Sequence, residues 1–161
     1  MTIHSFQFIL YFDSPVGWIE LASDGDNLNQ ALFRESKIFD EKPNAVLETA
    51  GVQFAEYFSH NRKKFELPLK PNGTTFQMKV WDELLKIPYG KTSSYHELAV
   101  KLGDEKVIRA AANANAKNPV AIIVPCHRII GTDGSLTGYA GGLWRKQWLL
   151  DFENGVGRLE F

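Results

Sequence analysis

Residues 94–116 read SYHELAVKLGDEKVIRAAANANA, and two helices joined by a tight glycine turn are legible in that stretch. Ser94 and Glu97 have capping-box spacing, in which a hydroxyl and a carboxylate satisfy orphan N–H groups at a helix start. Tyr95, Leu98, Ala99 and Leu102 recur at i, i+3, i+4 and i+7, one face of a short helix. Gly103 stops it, Asp104 can cap its successor, and Val107, Ala110, Ala111 and Ala114 form the apolar stripe of the second helix. The pattern predicts a helix-turn-helix. Many such hairpins bind nothing, so the second helix has to carry the argument. Its residues 109–116 are nearly free of bulk, with Arg109 and Asn113 opposite the stripe. Alanines let a helix backbone approach a DNA groove closely, and one arginine can then enter the groove or the base stack. Tight packing against a neighbouring helix would select the same alanines.

Downstream, apolar residues 120–124 lead into Pro125-Cys126-His127-Arg128. A loop with Gly131, Gly134, Gly138, Gly141 and Gly142 follows, then a helix carrying Trp144, Trp148, Leu149 and Phe152. Upstream, Thr74-Thr75-Phe76-Gln77 is a second capping box, opening a helix with Phe76, Val80, Trp81 and Leu84 on one face. Pro68, Pro71 and Gly73 punctuate the chain before it and place a domain boundary at 67–73, giving domains of 1–72 and 73–161.

The first domain reads as strands. Phe6, Phe8, Leu10 and Phe12 alternate with other residues, Ser14-Pro15-Val16-Gly17 makes a turn, and residues 18–22 and 28–33 continue an antiparallel meander. Val46, Ala50, Phe54 and Tyr57 then predict a helix over 44–59. The expected fold class is α+β: a small antiparallel sheet with a helix, followed by a mainly helical domain that holds the helix-turn-helix and Cys126.

Composition narrows the function. The chain has 161 residues, 44% hydrophobic and 23% charged, within the globular range. Its net charge of −1 by itself argues against a strongly electrostatic nucleic-acid binder. Residues 1–72 carry 7 Lys/Arg against 10 Asp/Glu, whereas residues 73–161 carry 11 against 9, so the second half tolerates a phosphate backbone without demanding one. A single cysteine excludes an intramolecular disulfide and a thiolate zinc cage, and the four histidines lack metal-ligand spacing. No secretory signal or membrane span is legible, so a soluble cytoplasmic protein is expected.

Cys126 has the company of a nucleophile. Cationic His127 and Arg128 would lower its pKa and raise the thiolate fraction, and a following histidine can serve as base directly or through one water. A lone cysteine after an apolar run is otherwise a small buried hydrophobe. His127 needs an orienting carboxylate, and Glu153 on the last helix is one of several candidates. Tyr95 can be a core aromatic, and the glycine loop either a surface linker or a backbone wall for a flat ligand.

Taken together, Pro125-Cys126-His127-Arg128-Ile129-Ile130, the preceding Asn118-Pro119-Val120 and the following Gly138-Tyr139 resemble the active-site segment of the O6-alkylguanine-DNA alkyltransferases. The resemblance extends over about residues 75–155, through Ile87-Pro88-Tyr89-Gly90, the Arg109 helix, Gly141-Gly142 and Glu153. It implies an RNase H-like N-terminal domain and a winged-helix-like C-terminal one. It also implies minor-groove binding of double-stranded DNA, extrusion of the damaged base, and irreversible one-time transfer of its alkyl group to Cys126. The substrates implied are O6-alkylguanine and O4-alkylthymine. His127 would activate Cys126 through a water, oriented by Glu153. Tyr95 would donate to guanine N3, and Asn118 would brace the active-site turn. Arg109 would occupy the vacated base position, with Ala110, Asn113, Tyr95 and Arg128 also at the DNA. Carbonyls of Cys126 and Ile129 would accept from the guanine amino group, and the backbone of Tyr139, Ala140 and Gly141 would line the pocket. The family acts without a cofactor, as a monomer.

Two departures stand out. Ala140 replaces the serine or arginine of many members, and the N-terminal domain lacks the cysteines with which some members bind zinc, so no metal is expected. Alkyltransferase-like proteins that bind lesions without reacting lack the cysteine present here. A helix-turn-helix transcription factor leaves Cys126-His127 and Glu153 unexplained, and cysteine hydrolases draw nucleophile and base from distant segments.

Overall fold

The computed structural model describes residues 4–155, which form two compact units. No helix among these residues is long and apolar enough to cross a membrane.

The first unit is a three-stranded antiparallel sheet, β1 (Phe8–Ser14), β2 (Gly17–Ser23) and β3 (Leu28–Arg34), with α1 (Ala45–Phe58) on one face. Ser14 closes the first hairpin: its hydroxyl donates to Gly17 O at 2.6 Å and accepts from Val16 N–H. Strand β2 is central, so Ile19, Leu21 and Ala22 are fully buried. Helix α1 starts at Asn44, whose side chain accepts from Leu47 N–H. It presents Leu47, Ala50, Phe54 and Tyr57 to the sheet, where the Phe54 and Phe12 rings stack at 5.7 Å.

Residues 119–123, expected in the C-terminal domain, belong to this first unit. The reason is an unfilled edge of β3. Ala31 N–H donates to Pro119 O and its carbonyl accepts from Ala121 N–H, both at 2.9 Å. The apolar run 120–124 bridges to β3 at Val120, opposite Ala31, before the backbone turns.

The second unit packs α2 (Thr75–Leu84), α3 (Tyr95–Lys101), α4 (Ile108–Ala116) and α5 (Leu143–Glu153) around a short parallel pair, β4 (Ser93–Ser94) and β5 (Ile129–Ile130). The Thr74–Gln77 capping box closes with both hydrogen bonds. The Ser94–Glu97 box closes only half. Ser94 accepts from Glu97 N–H, but the Glu97 carboxylate takes the hydroxyls of Ser93 and Ser94, whose backbone lies in the β4–β5 pair. Between α3 and α4, Gly103 adopts φ 97, a left-handed geometry that glycine accepts without steric cost. Asp104 then caps a single tight turn, Glu105–Val107, that runs into α4.

Helix α4 buries Ala111, Ala114 and Asn115; Ala110 is exposed and Val107 half-buried, so the buried stripe is narrower than the alanine pattern predicts. Small residues allow α2 to approach closely, and Trp81 Nε1–H donates to Ala114 O at 2.9 Å. Helix α5 also departs from its hydrophobic pattern. It turns Arg145, Lys146 and Glu153 inward with Leu149 and Leu150, and leaves Trp144 exposed.

Candidate active site

Pro125 delivers the chain into one tight turn, Cys126–Arg128, bracketed by Cys126 N–H on Val124 O and Arg128 N–H on Pro125 O. Ile129 N–H then donates to Cys126 O, and the chain enters β5. The Asn118 amide donates to Val124 O at 2.7 Å, bracing the approach from α4. Cys126, His127, Arg128 and Ile129 are all buried.

Glu153, near the end of α5, organises this turn. Its Oε2 lies 2.8 Å from His127 Nε2 and its Oε1 lies 2.8 Å from Arg128 Nε, with a second Arg128 nitrogen on Oε2 at 3.0 Å. The third guanidinium nitrogen donates to Ile87 O at 2.7 Å. Gly90 N–H adds a 3.3 Å bond to Oε1. Gly90 has φ 75, and an added Cβ would stand 3.3 Å from the Glu153 carbonyl, so glycine suits this close approach. Arg128, expected at the DNA, is only 7% exposed and its guanidinium is committed inward.

Charge states follow from these bonds. Burial raises the cost of ionising Glu153, but the hydrogen bonds and charges of His127 and Arg128 outweigh it and hold the carboxyl well below 4.5. Burial, with the charges of Arg128 and Lys146, lowers the pKa of His127 against the pull of Glu153. At neutral pH the imidazole is therefore uncharged. A carboxylate can only accept, so Nε2 carries the hydrogen and Nδ1 is left as the basic nitrogen.

The thiol differs from the sequence expectation. Burial pushes Cys126 up to about 11, moderated by a hydrogen bond with Asn118 and the charge of Lys146. Its neighbours in sequence do not lower it: His127 is uncharged, and the Arg128 guanidinium is paired with Glu153. The nearby cation is Lys146, which is fully buried, donates to Thr137 O at 2.8 Å and has its own pKa lowered by burial. Tyr95 hydroxyl donates to the same Thr137 carbonyl at 3.0 Å, with the ammonium 5.7 Å from its ring centre. Tyr139 reaches the same neighbourhood: burial and the charges of Cys126 and Glu153 raise its phenol.

The structure thus gathers Cys126, His127, Glu153, Asn118, Tyr95, Ile129 and Tyr139 within the second unit. Gly141 is buried, and its carbonyl accepts from Arg145 at 2.9 Å; Ala140 is exposed. Arg109, Ala110 and Asn113 lie on the exposed face of α4. Sequence reading missed Lys146 and Asn115, whose amide donates to Cys126 O at 3.4 Å. Both sit on inward helix faces where apolar residues are the ordinary occupants, and a polar residue at such a position was the available signal. Among the described residues no group of three or more His, Cys, Asp or Glu is placed to hold a metal ion.

Both units match known families. Residues 75–155 match the DNA binding domain of 6-O-methylguanine DNA methyltransferase, and residues 8–71 match its ribonuclease-like domain. The chain belongs to the 6-O-methylguanine DNA methyltransferase family. The methylated-DNA–protein-cysteine methyltransferase of Methanosarcina acetivorans is 45% identical over 148 residues, covering 88% of this chain and 95% of that one. The crystal structure of the Mycobacterium tuberculosis O6-methylguanine methyltransferase superposes with a TM-score of 0.84 at 40% identity, covering 95% and 96% of the two chains. A structure of the Mycobacterium tuberculosis protein in complex with DNA superposes with a TM-score of 0.85 at 41% identity, over 93% and 94%. In this methyltransferase chain the Glu153–His127 pair and the buried Cys126 lie inside the segment matched to the DNA binding domain.

Proposed function

We propose that this protein repairs double-stranded DNA by direct reversal, moving the alkyl group of O6-alkylguanine, and of O4-alkylthymine, irreversibly onto Cys126. Alkyl transfer from DNA to a protein cysteine is the activity its relatives are named for. The observation that carries the reading here is a buried thiol followed directly by a neutral histidine whose tautomer is set by Glu153.

The exposed face of α4 meets the minor groove, and its small residues allow close approach. The damaged base leaves the stack, which costs a few kcal/mol and less for a base that pairs badly. Arg109 fills the space it vacates, with Ala110 and Asn113 alongside. In the pocket the base amino group donates to Ile129 O, and N–H groups around Tyr139 and Ala140 meet O6, with Gly141 behind them.

With the thiol near 11 and the histidine neutral, the resting pair is thiol and imidazole. The proton therefore leaves sulfur as the sulfur–carbon bond forms. It passes through a water to Nδ1 of His127, and Glu153 stabilises the imidazolium. The carbon–O6 bond breaks with its electron pair on the base. Tyr95 turns its hydroxyl from Thr137 O to guanine N3 and eases that departure; the base then takes a proton from solvent. The thioether has no route back to a thiol, so each chain acts once.

A titration tests this. With excess methylated duplex, repaired guanine should rise to one equivalent per chain and stop. Continued turnover would contradict the single-use mechanism.

A further inference from the structure

Two buried polar atoms beside Cys126 meet no hydrogen-bond partner among the described residues: Nδ1 of His127 and Oδ1 of Asn115. Buried side-chain polar atoms almost always have one, protein or ordered water, so two orphans beside one thiol call for a common explanation. Asn115 is 1% exposed, on the inner face of α4. Its amide donates through Nδ2 to Cys126 O at 3.4 Å. A carbonyl only accepts, so the amide nitrogen must face it and the amide oxygen must point elsewhere. The His127 ring is held just as firmly by its 2.8 Å bond to Glu153, which leaves Nδ1 as a bare acceptor.

We infer that Asn115 positions the water through which Cys126 gives up its proton, a role that rests on the repair reading above. Buried waters typically make about three hydrogen bonds, and on this assignment Asn115 Oδ1, His127 Nδ1 and Cys126 Sγ supply three. The water donates one hydrogen to His127 Nδ1 and the other to Asn115 Oδ1. With both hydrogens directed, an oxygen lone pair is left for the Cys126 S–H.

The relay balances. The S–H proton moves to the water as sulfur bonds to the alkyl carbon. The hydrogen on the His127 side moves to Nδ1, and the electron pair of the breaking carbon–oxygen bond leaves on the base. The hydrogen facing Asn115 stays in place and the water is regenerated. Asn115 is thus a positioning residue: it stops the water from turning a hydrogen toward the sulfur. Its place on α4 also puts the water's anchor on the helix whose opposite face carries Arg109 and Asn113.

The test is the pH profile of single-turnover alkyl transfer by wild type and Asn115→Leu. At neutral pH the variant should be roughly tenfold slower, a fraction of the 10²–10⁴ a general base is worth, with DNA affinity unchanged. The gap should narrow steadily toward alkaline pH, where thiolate forms without the relay. A deficit constant at every pH would assign Asn115 only to holding the turn through its Nδ2 bond, and would overturn the inference, as would no deficit. A crystal structure of the wild type gives an answer that does not depend on the variant folding. It should show one ordered water within hydrogen-bond distance of Asn115 Oδ1, His127 Nδ1 and Cys126 Sγ; a water on His127 alone would overturn the inference. A wild type that transfers no alkyl group at all would instead sink the repair reading, an outcome neither profile can mimic.

Discussion

Glu153 Oε2 lies 2.8 Å from His127 Nε2 while Oε1 lies 2.8 Å from Arg128 Nε, so one carboxylate holds two consecutive residues of the nucleophile's turn. The arrangement joins chemistry to stability. Glu153→Gln removes the charge that favours imidazolium and leaves the buried Arg128 cation uncompensated. Alkyl transfer should slow by roughly 10²-fold. Stability should fall by about 3–5 kcal/mol, the usual consequence of removing one partner from a buried pair. Urea unfolding and single-turnover rates on the folded variant measure the two effects separately. The acid limb gives a further check. The Glu153 carboxyl ionises well below its ordinary 4.5, so its contribution is complete above that pH and disappears as pH falls below it. Glu153→Gln should flatten that part of the stability profile.

Burial of the thiol makes a separate prediction. An exposed cysteine reacts with iodoacetamide ever faster as pH rises, then levels off near its ordinary pKa of 9.0. Cys126 should be almost inert at neutral pH and keep gaining about tenfold per unit through that region, because its thiol is pushed up to about 11. Levelling near neutral pH would show a thiolate already present at rest.

Arg109 is exposed on α4, so Arg109→Ala should leave the unfolding midpoint unchanged. Repair of duplex DNA should fall steeply, whereas transfer from a free benzylated guanine base, which needs no extrusion, should hardly change. Equal losses on both substrates would remove Arg109 from the extrusion step.

Trp81→Phe tests the packing under α4. It removes the donor that meets Ala114 O at 2.9 Å and leaves a carbonyl buried with one partner fewer. A loss of about 1–3 kcal/mol in urea unfolding is expected, without a change in the thiol's pH dependence.

Much of this was legible before the structure. The strand alternation of residues 6–33, the Thr74 cap and the Ser94–Ala116 hairpin each follow from local periodicity and capping, and each appears as an element. Local rules fail where a side chain answers to distant partners. The last helix was legible from Trp144, Trp148, Leu149 and Phe152, yet α5 leaves Trp144 exposed and buries Arg145, Lys146 and Glu153, whose partners lie in the glycine loop and the turn at Cys126. Proximity in sequence suggested that Arg128 acidifies Cys126, but Glu153 neutralises it from 25 residues away. Residues 119–123 look like part of the helical domain until the open edge of β3 claims them. Asn115, one polar residue in an alanine-rich run, gains meaning only when Cys126 is brought beside it.

The most direct test of the central claim is the mass of the Cys126 peptide after incubation with a duplex containing O6-methylguanine. The peptide should gain the mass of one methyl group, fragmentation should place it on sulfur, and Cys126→Ala should bind the same duplex while transferring nothing. A methyl group found on any other residue, or repair by the alanine variant, would contradict the account.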